Sequence, residues 1–550
     1  MYVDGIFTSP LEGDVSDFPK VSISEYLLSL VEKNGLSDSE KPWVIDARTE
    51  VQVLFKEIEP LSRKIASGLA RLGFKKRDIL YFVTYETAQL YLVQLAVWRL
   101  GGAVRGCYQQ EAPEEYARQL RETRSRFILI DSETEARMKQ AAQMVDLQVS
   151  FLSFGEVQDA VPVAKLMTDD GTAFPDKVEF DSDDVIIIPN TSGSTGLPKG
   201  VLHTHATYIA LSHNRKTLSR VLDFNFMTPM SNFAVGSFML TANTIVHGVT
   251  IIHLGKFVRE EYIGNLIKYK PGNCLMYPFV ASWFARCDEI EKVDLGFLKM
   301  ISCGGSVLDV TTAELLVKKL PHIRLAQFYG MTECLGISNT EIERTEEEAN
   351  MPLITAVNEG ETCVSSGKLG ACVKVKIIDE KTGLNLGANE RGLVYVHSPM
   401  IMKGYLSENS KEPVRKDIDS EGWLKTGDVG FFDERGNIYI VERVSFMFKY
   451  FMFIVSPTEI EAVLQEHPDV HEVGVVGVPH PESTSVARAF VVLKQGRMCS
   501  KEELRNFVAE RLPTYKHLHG GVVFVDSLPE SRGNKLDRPA LKKLAIEQGL

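Results

Sequence analysis

At 550 residues, 44% hydrophobic and 24% charged, the chain has an ordinary globular composition and a length that suits about two to four structural units. A net charge of -12 and the lack of a long basic run argue against nucleic acid as a partner, while an acidic protein can still hold an anion through local groups. No uninterrupted apolar run approaches the ~18 residues of a membrane span, and the eight scattered cysteines, without a CxxC pair, read as reduced thiols.

The first residues, MYVDGIFTSPLEGDVSDF, lack the basic segment and apolar stretch of a signal peptide. The last three, Gln548-Gly549-Leu550, are not a Ser-Lys-Leu address. A cytoplasmic location is the expectation. Short β-branched runs alternate with helical patterns, which predicts layered α/β structure. Glu86 to Leu100 reads as a mostly buried helix ended by Gly101-Gly102. The texture changes near Glu442. Beyond it, Ser456 can cap a helix, Pro457 suits its first turn and Glu459 would complete a capping box. Ile460, Val463 and Leu464 give that helix an apolar face. Strands are predicted at Val473–Val478, Ala489–Leu493 and Val522–Val525.

The stretch Thr191 to Gly200, TSGSTGLPKG, follows the apolar run Val185 to Ile188. Glycines let a backbone approach an anion and expose its N–H groups. Thr191, Ser192, Ser194 and Thr195 add hydroxyl donors, Gly193 adds freedom and Lys199 adds a mobile positive charge. The order does not fit a Walker A loop. His203 and His205 lack a clear third ligand and read as a loop pair rather than a metal site.

This segment resembles the signature of the adenylate-forming superfamily, which holds acyl- and aryl-CoA ligases, beetle luciferases and peptide-synthetase adenylation domains. Further motifs follow in order to Lys535. They are Ser302-Cys303-Gly304-Gly305-Ser306, Tyr329-Gly330-Met331-Thr332-Glu333 after Gln327 and Phe328, Gly404-Tyr405, Thr426-Gly427-Asp428, Glu442-Arg443 and Ser531-Arg532-Gly533-Asn534-Lys535. The contexts NERGLVYVHSPMIMKGYL and EGWLKTGDVG look most like the CoA-ligase and luciferase branch.

The resemblance implies an α/β fold with a large multi-subdomain N-terminal body and a small mobile C-terminal α/β lid. It implies an adenylation domain over 1–441, a hinge at 442–446 and a lid domain over 447–550. It implies ATP and Mg²⁺ as cofactors, with coenzyme A as a co-substrate, and a carboxylic acid as the substrate. Residues 191–195 and Lys199 would grip phosphates, with Gln327 and Phe328 near the nucleotide. The Tyr329 ring would stack near adenine, Thr332 would contact the α-phosphate and Glu333 would help hold Mg²⁺. Asp428 would accept from the ribose, and Arg443 would reach the nucleotide. Asn232, Ala234, Gly304, Gly305, Gly330 and Met331 would border the acid. Lys535 would bridge the carboxylate and the α-phosphate. Lys449 is retained from the hinge pattern. Oligomeric state is left open.

Three segments depart from the family pattern. In Thr228 to Gly236, TPMSNFAVG, Asn232 stands where relatives usually have histidine and Ala234 where an aromatic is frequent. In ERVSFMFKYFMFIVSP, Ser445, Phe446 and Met452 stand for a lysine, an acid and a glycine, and Phe446, Phe448, Phe451, Met452 and Phe453 are expected to pack the lid. Val307 replaces a proline, and Cys303 and Cys334 are expected to be small buried groups. The adenylation motifs are thus kept while those for thioester formation are eroded. Three readings follow: an acid:thiol ligase, an adenylate-forming enzyme with another acceptor or a luciferase-like oxidation, and a nucleotide-binding pseudoenzyme.

Overall fold

Strands of β-branched residues and helices with one apolar face bury each other in layers, and the chain folds as a large N-terminal α/β unit followed by a smaller one. The structure, a computed structural model, describes all residues except 1, 12, 16–17, 86, 193–197, 217–223, 256, 343–352, 359–360, 408–411, 452, 481–482, 532–534 and 549–550. At 192, 215–216, 354–358, 361 and 453–454 it describes the backbone alone.

The expected buried helix spans Ala88–Arg99, with nearly every side chain in the core. It ends where Gly101 takes φ +70°, a conformation glycine adopts without a Cβ clash. Trp98 Nε1 donates to the Ile186 carbonyl at 2.9 Å, which ties this helix to the strand Val185–Ile187. That strand pairs with Pro198–Thr204, which turns back against Asn190–Ser192 with Thr191 opposite Lys199. The residues on either side of 193–197 therefore pair as two arms rooted in a sheet.

Three parallel strands, Asn273–Met276, Met300–Gly304 and Arg324–Met331, lie side by side in a second sheet. Their C-terminal ends carry Tyr277, Gly304-Gly305 and the Tyr329-to-Glu333 segment, the place where open α/β sheets hold ligands. Gly304 is opposite Phe328, and a Cβ there would come within 2.3 Å of the Phe328 ring. A third sheet brings Leu424–Phe432 against Ile438–Arg443, with Asp428 opposite Arg443. Together the three sheets converge on one cleft.

After Arg443 a turn leads into the smaller unit. Its sheet includes Phe448–Tyr450, Phe453–Val455, Val470–His480, Thr484–Leu493 and Val522–Phe524, which agrees with the three predicted strands. Helices Pro457–Gln465, Lys501–Ala509 and Arg538–Glu547 cover it. Ile460, Leu464, Val475 and Val491 form a core of its own with Phe448. Each such buried side chain contributes about 1.5–3 kcal/mol relative to exposure.

Two expectations need correction here. Ser456 is the N-cap residue and Pro457 opens the helix, but no capping box forms. Glu459 instead pairs with Lys516 at 2.6 Å, and the Ser456 hydroxyl turns to Glu442 at 3.2 Å. The Glu442 carboxylate also accepts from the Thr458 amide at 3.3 Å and the Thr458 hydroxyl at 2.9 Å. An acid from the strand Ile438–Arg443 thus does the capping. Second, the aromatic cluster divides. Phe448 is buried, Phe446 lies beneath the Arg538 guanidinium, and Phe451 is 52% exposed. Met452 lies outside the described residues, as does the side chain of Phe453.

Candidate active site

Asp428 is the most deeply engaged acid of the cleft. Its buried carboxylate accepts from Tyr329 Oη at 2.6 Å and from Arg443 Nε at 2.9 Å. Burial raises the Asp428 pKa, with Arg443 opposing, and Asp428 in turn holds the Arg443 guanidinium charged. Gln327 Nε2 donates to Ser366 Oγ at 2.9 Å, and its buried Oε1 has no hydrogen-bond partner among the described residues. Such an acceptor beside Tyr329 can receive a donor from a ligand.

On the other side of Tyr329, the buried Glu333 accepts from Tyr405 Oη at 3.0 Å. The same hydroxyl lies 3.1 Å from Asp417 Oδ2. Lys199 Nζ sits 5.4 Å over the Tyr405 ring. Burial lowers the Lys199 pKa, and the neighbouring Lys416 lowers it further. Two crowded ammonium groups next to two carboxylates form a polar corner suited to an anion with a hard cation. Glu333 and Asp417 offer the oxygen donors that Mg²⁺ prefers, so the residues present fit that ion. Sequence reasoning noted Tyr405 only as part of a GY pair and missed Lys416 and Asp417. The pairing of Val201 with Tyr405 brings them to the phosphate hairpin, and no local motif announces that.

His203 was also undervalued. It lies in the strand Pro198–Thr204, fully buried, and its Nε2 is 2.7 Å from the Thr332 carbonyl. A carbonyl only accepts, so Nε2 carries the proton. Burial depresses the His203 pKa to about 4, which keeps the ring neutral. His203 thus holds the turn that bears Thr332 and Glu333. His205 starts the next helix, accepts from the Ile23 amide at 3.1 Å and is held near a pKa of about 4 by burial. The two are not a loop pair.

Lys535 enters the cleft from the smaller unit. Its ammonium donates to the Gly305 carbonyl and lies 5.6 Å over the Tyr277 ring. Gly305 has φ +90°, and a Cβ there would press within 3.1 Å of Tyr277 and 3.3 Å of Lys535 Nζ. Glycine is required for this close approach.

The residues expected to border the acid lie on several elements. Asn232 is buried, its Nδ2 donating to the Thr84 carbonyl at 2.8 Å and its Oδ1 accepting from Gln109 Nε2 at 3.1 Å. It serves as a fixed polar contact. Ala234 is the N-cap of the helix Val235–His247. Gly330 packs so closely that a Cβ would lie 2.7 Å from the Leu335 carbonyl oxygen, and Met331 packs beside the core. Cys303 and Cys334 are fully buried and pushed up to about 12, as inert thiols should be.

The structure therefore brings Lys199, Gln327, Phe328, Tyr329, Thr332, Glu333, Asp428, Arg443, Gly305 and Lys535 around one cleft. It does not bring Lys449 there: this side chain is exposed on the strand Phe448–Tyr450. Gly193, Ser194, Thr195 and Asn534 lie outside the described residues, as does the side chain of Ser192. Among the described residues, His467, Asp469 and Glu503 could also gather around a metal. The Asp469 amide donates to His467 Nδ1 at 3.3 Å, which leaves the proton on Nε2 facing Glu503. That tautomer suits a hydrogen bond better than a ligand. No helix is long and apolar enough to cross a membrane among the described residues.

These groups gather in one polar cleft, with Lys535 delivered to it from the second unit. Residues 31–406 match the AMP-binding enzyme family and residues 459–535 match the AMP-binding enzyme C-terminal domain. The chain belongs to this adenylate-forming superfamily, in the reach of its acyl- and aryl-CoA ligase and luciferase branches. It is 30% identical to 4-coumarate–CoA ligase 2 of Petroselinum crispum, over 98% of this chain and 96% of that protein. It is 28% identical to luciferin 4-monooxygenase of Photinus pyralis, over 91% and 90% of the two chains. The fold is shared with ATP-bound MatB from Rhodopseudomonas palustris, at TM-score 0.81 and 21% identity over 95% of this chain and 99% of that one. It is shared too with the amide bond synthetase McbA from Marinactinospora thermotolerans, at TM-score 0.79 and 24% identity over 95% and 99%.

Proposed function

We propose that the protein activates a carboxylic acid with ATP to an acyl-adenylate and then transfers the acyl group to coenzyme A. The observation that supports this reading is Lys535, which reaches from the smaller unit to the Gly305 carbonyl beside the Tyr277 ring. The body would be 1–441, the hinge 442–446 and the lid 447–550, with the turn after Arg443 as the pivot.

In the first step a carboxylate oxygen attacks the α-phosphorus. The oxygen–phosphorus bond forms as the bond to the β-phosphate oxygen breaks, and pyrophosphate leaves. Both reactants are anionic, so repulsion and positioning dominate the barrier. Lys535 neutralises charge between the carboxylate and the α-phosphate. Thr332, fixed through His203, donates to that phosphate. Lys199, with residues 191–195, holds the outer phosphates. Tyr329 supports adenine and Asp428 accepts from the ribose. When bound at Glu333, Mg²⁺ supplies charge neutralisation for the triphosphate. In the second step the lid turns about 442–446, the thiol sulfur attacks the acyl carbon and gives up its proton to solvent, the acyl carbon–phosphate oxygen bond breaks, and AMP leaves.

A second reading, an acceptor other than coenzyme A, is favoured by Ser445, Phe446 and Met452, which stand for a lysine, an acid and a glycine of the family pattern. Both are compatible with relatives named as CoA ligases, a luciferin monooxygenase and an amide synthetase. The test is pyrophosphate release with MgATP and a panel of fatty and aromatic acids, with and without coenzyme A. Multiple turnover only with coenzyme A supports the ligase. A single burst unaffected by it supports another acceptor. No acid-dependent release despite ATP binding moves the assignment to a pseudoenzyme.

A further inference from the structure

The hairpin that carries the phosphate segment rests on a buried polar network. Arg105 is fully buried, an unusual state for an arginine. Its Nη1 donates to Glu122 at 2.9 Å and its Nη2 to Asn190 Oδ1 at 3.0 Å. Asn190 Nδ2 in turn donates to the Gly106 carbonyl at 2.9 Å and to Gln119 Oε1 at 3.2 Å. Asn190 begins the first arm of the hairpin. One turn away on the helix Pro113–Thr123, Arg118 reaches the second arm: its Nη2 donates to the Pro198 carbonyl at 2.8 Å. Arg118 is itself held by Glu115 at 2.7 Å and by Glu122 at 3.1 Å. Glu122 therefore links the two arginines, and each arginine grips one arm.

We infer that Arg105 and Arg118 are positioning residues for the triphosphate of ATP, anchoring both arms of the hairpin that presents residues 191–199. This rests on the ATP-binding reading above. Neither guanidinium has to touch the nucleotide. Fixing both arms holds Thr191 and Lys199 in register, so ligand binding does not have to order them. Gly200 fits the same picture: a Cβ there would meet the Arg105 guanidinium carbon at 3.4 Å and Ile188 at 2.9 Å.

The anchor makes a prediction that a general loss of folding does not. Arg118→Gln keeps its neighbours paired, because Glu122 retains Arg105 and Glu115 retains Gln119 Nε2 at 2.8 Å. Titration calorimetry of the full chain with MgATP and with AMP is the test. Arg118→Gln is expected to weaken MgATP by about ten-fold, the scale of a charged hydrogen bond, and to leave AMP unchanged. Asn190→Ala, which frees the other arm from Arg105, should do the same. Arg118→Lys, still able to reach a carbonyl, should fall between. Arg126→Gln, which breaks an exposed pair with Asp78, should change neither ligand. If the wild type binds MgATP and both hairpin variants bind it equally well, the anchor is overturned. Equal loss of MgATP and AMP overturns it too, because the network would then support the whole cleft. A wild type that binds no MgATP overturns the ATP-binding reading and the anchor with it.

Discussion

Desolvation in the cleft lowers the Lys535 pKa to about 8, with Arg443 pushing the same way and Asp428 opposing. The charged form needed at the α-phosphate is complete well below that value and is lost as pH rises through it. The kcat/KM of adenylation should therefore fall along a basic limb near pH 8, since this ratio reports free-enzyme groups. Lys535→Arg keeps its charge at every accessible pH and should remove the limb, although its fork fits the Gly305 carbonyl less well. An unchanged limb in Lys535→Arg would assign it to another group. Lys535→Ala should lower the adenylation rate by roughly 10²–10³, as loss of other transition-state donors does. The sequence exposed Lys535, Asp428 and Glu333 because each sits inside a contiguous motif. It hid His203, Lys416 and Asp417, whose roles arise from pairings across the chain.

Helices and strands follow local patterns, so they were largely legible; their ends were less so. The helix Pro457–Gln465 was found from Ser456, Pro457 and its apolar face, but its cap comes from Glu442, fourteen residues before Ser456. No local spacing rule reaches that far. Glu442→Ala should lower the stability of the smaller unit by about 1–2 kcal/mol, the usual cost of losing an N-cap. Glu442→Gln, which keeps an acceptor, should cost less. Differential scanning calorimetry checks both, and an unaltered melting profile in Glu442→Ala would refute the capping role. The aromatic run at 446–453 was read as one packed group from composition alone. A strand points alternate residues to opposite sides, so Phe448 is buried while Lys449 faces solvent. Phe448 fills the space above Gly477, where an added Cβ would come within 2.2 Å of its ring. Gly477→Ala should therefore destabilise that unit by about 1–3 kcal/mol through overpacking, read as a lower unfolding midpoint in urea.

Across the whole molecule, polar contacts besides those of Glu442 and Lys535 join the two units among the described residues. Arg391 faces Glu459 at 3.6 Å, and Arg259, at the start of the helix Arg259–Tyr269, hydrogen-bonds Glu472 and lies 3.4 Å from His471. The residues Arg259 and Glu472 line a cavity of about 460 Å³ between the units, with Phe257 and Phe279 on the body side. Such a bridge stabilises this arrangement and would be lost on the lid rotation proposed above. The pair is partly exposed, so its worth is about 0.2–1 kcal/mol, or up to about five-fold in a rate that depends on the arrangement. Arg259→Ala should slow ATP–pyrophosphate exchange by that factor while leaving the reaction of supplied acyl-adenylate with coenzyme A unchanged or faster. Raising the salt concentration should shrink the difference, because exposed pairs are screened. The double reversal, Arg259→Glu with Glu472→Arg, should recover exchange beyond either single change. Equal slowing of both half-reactions in Arg259→Ala would mean that the bridge supports the fold and does not select the arrangement.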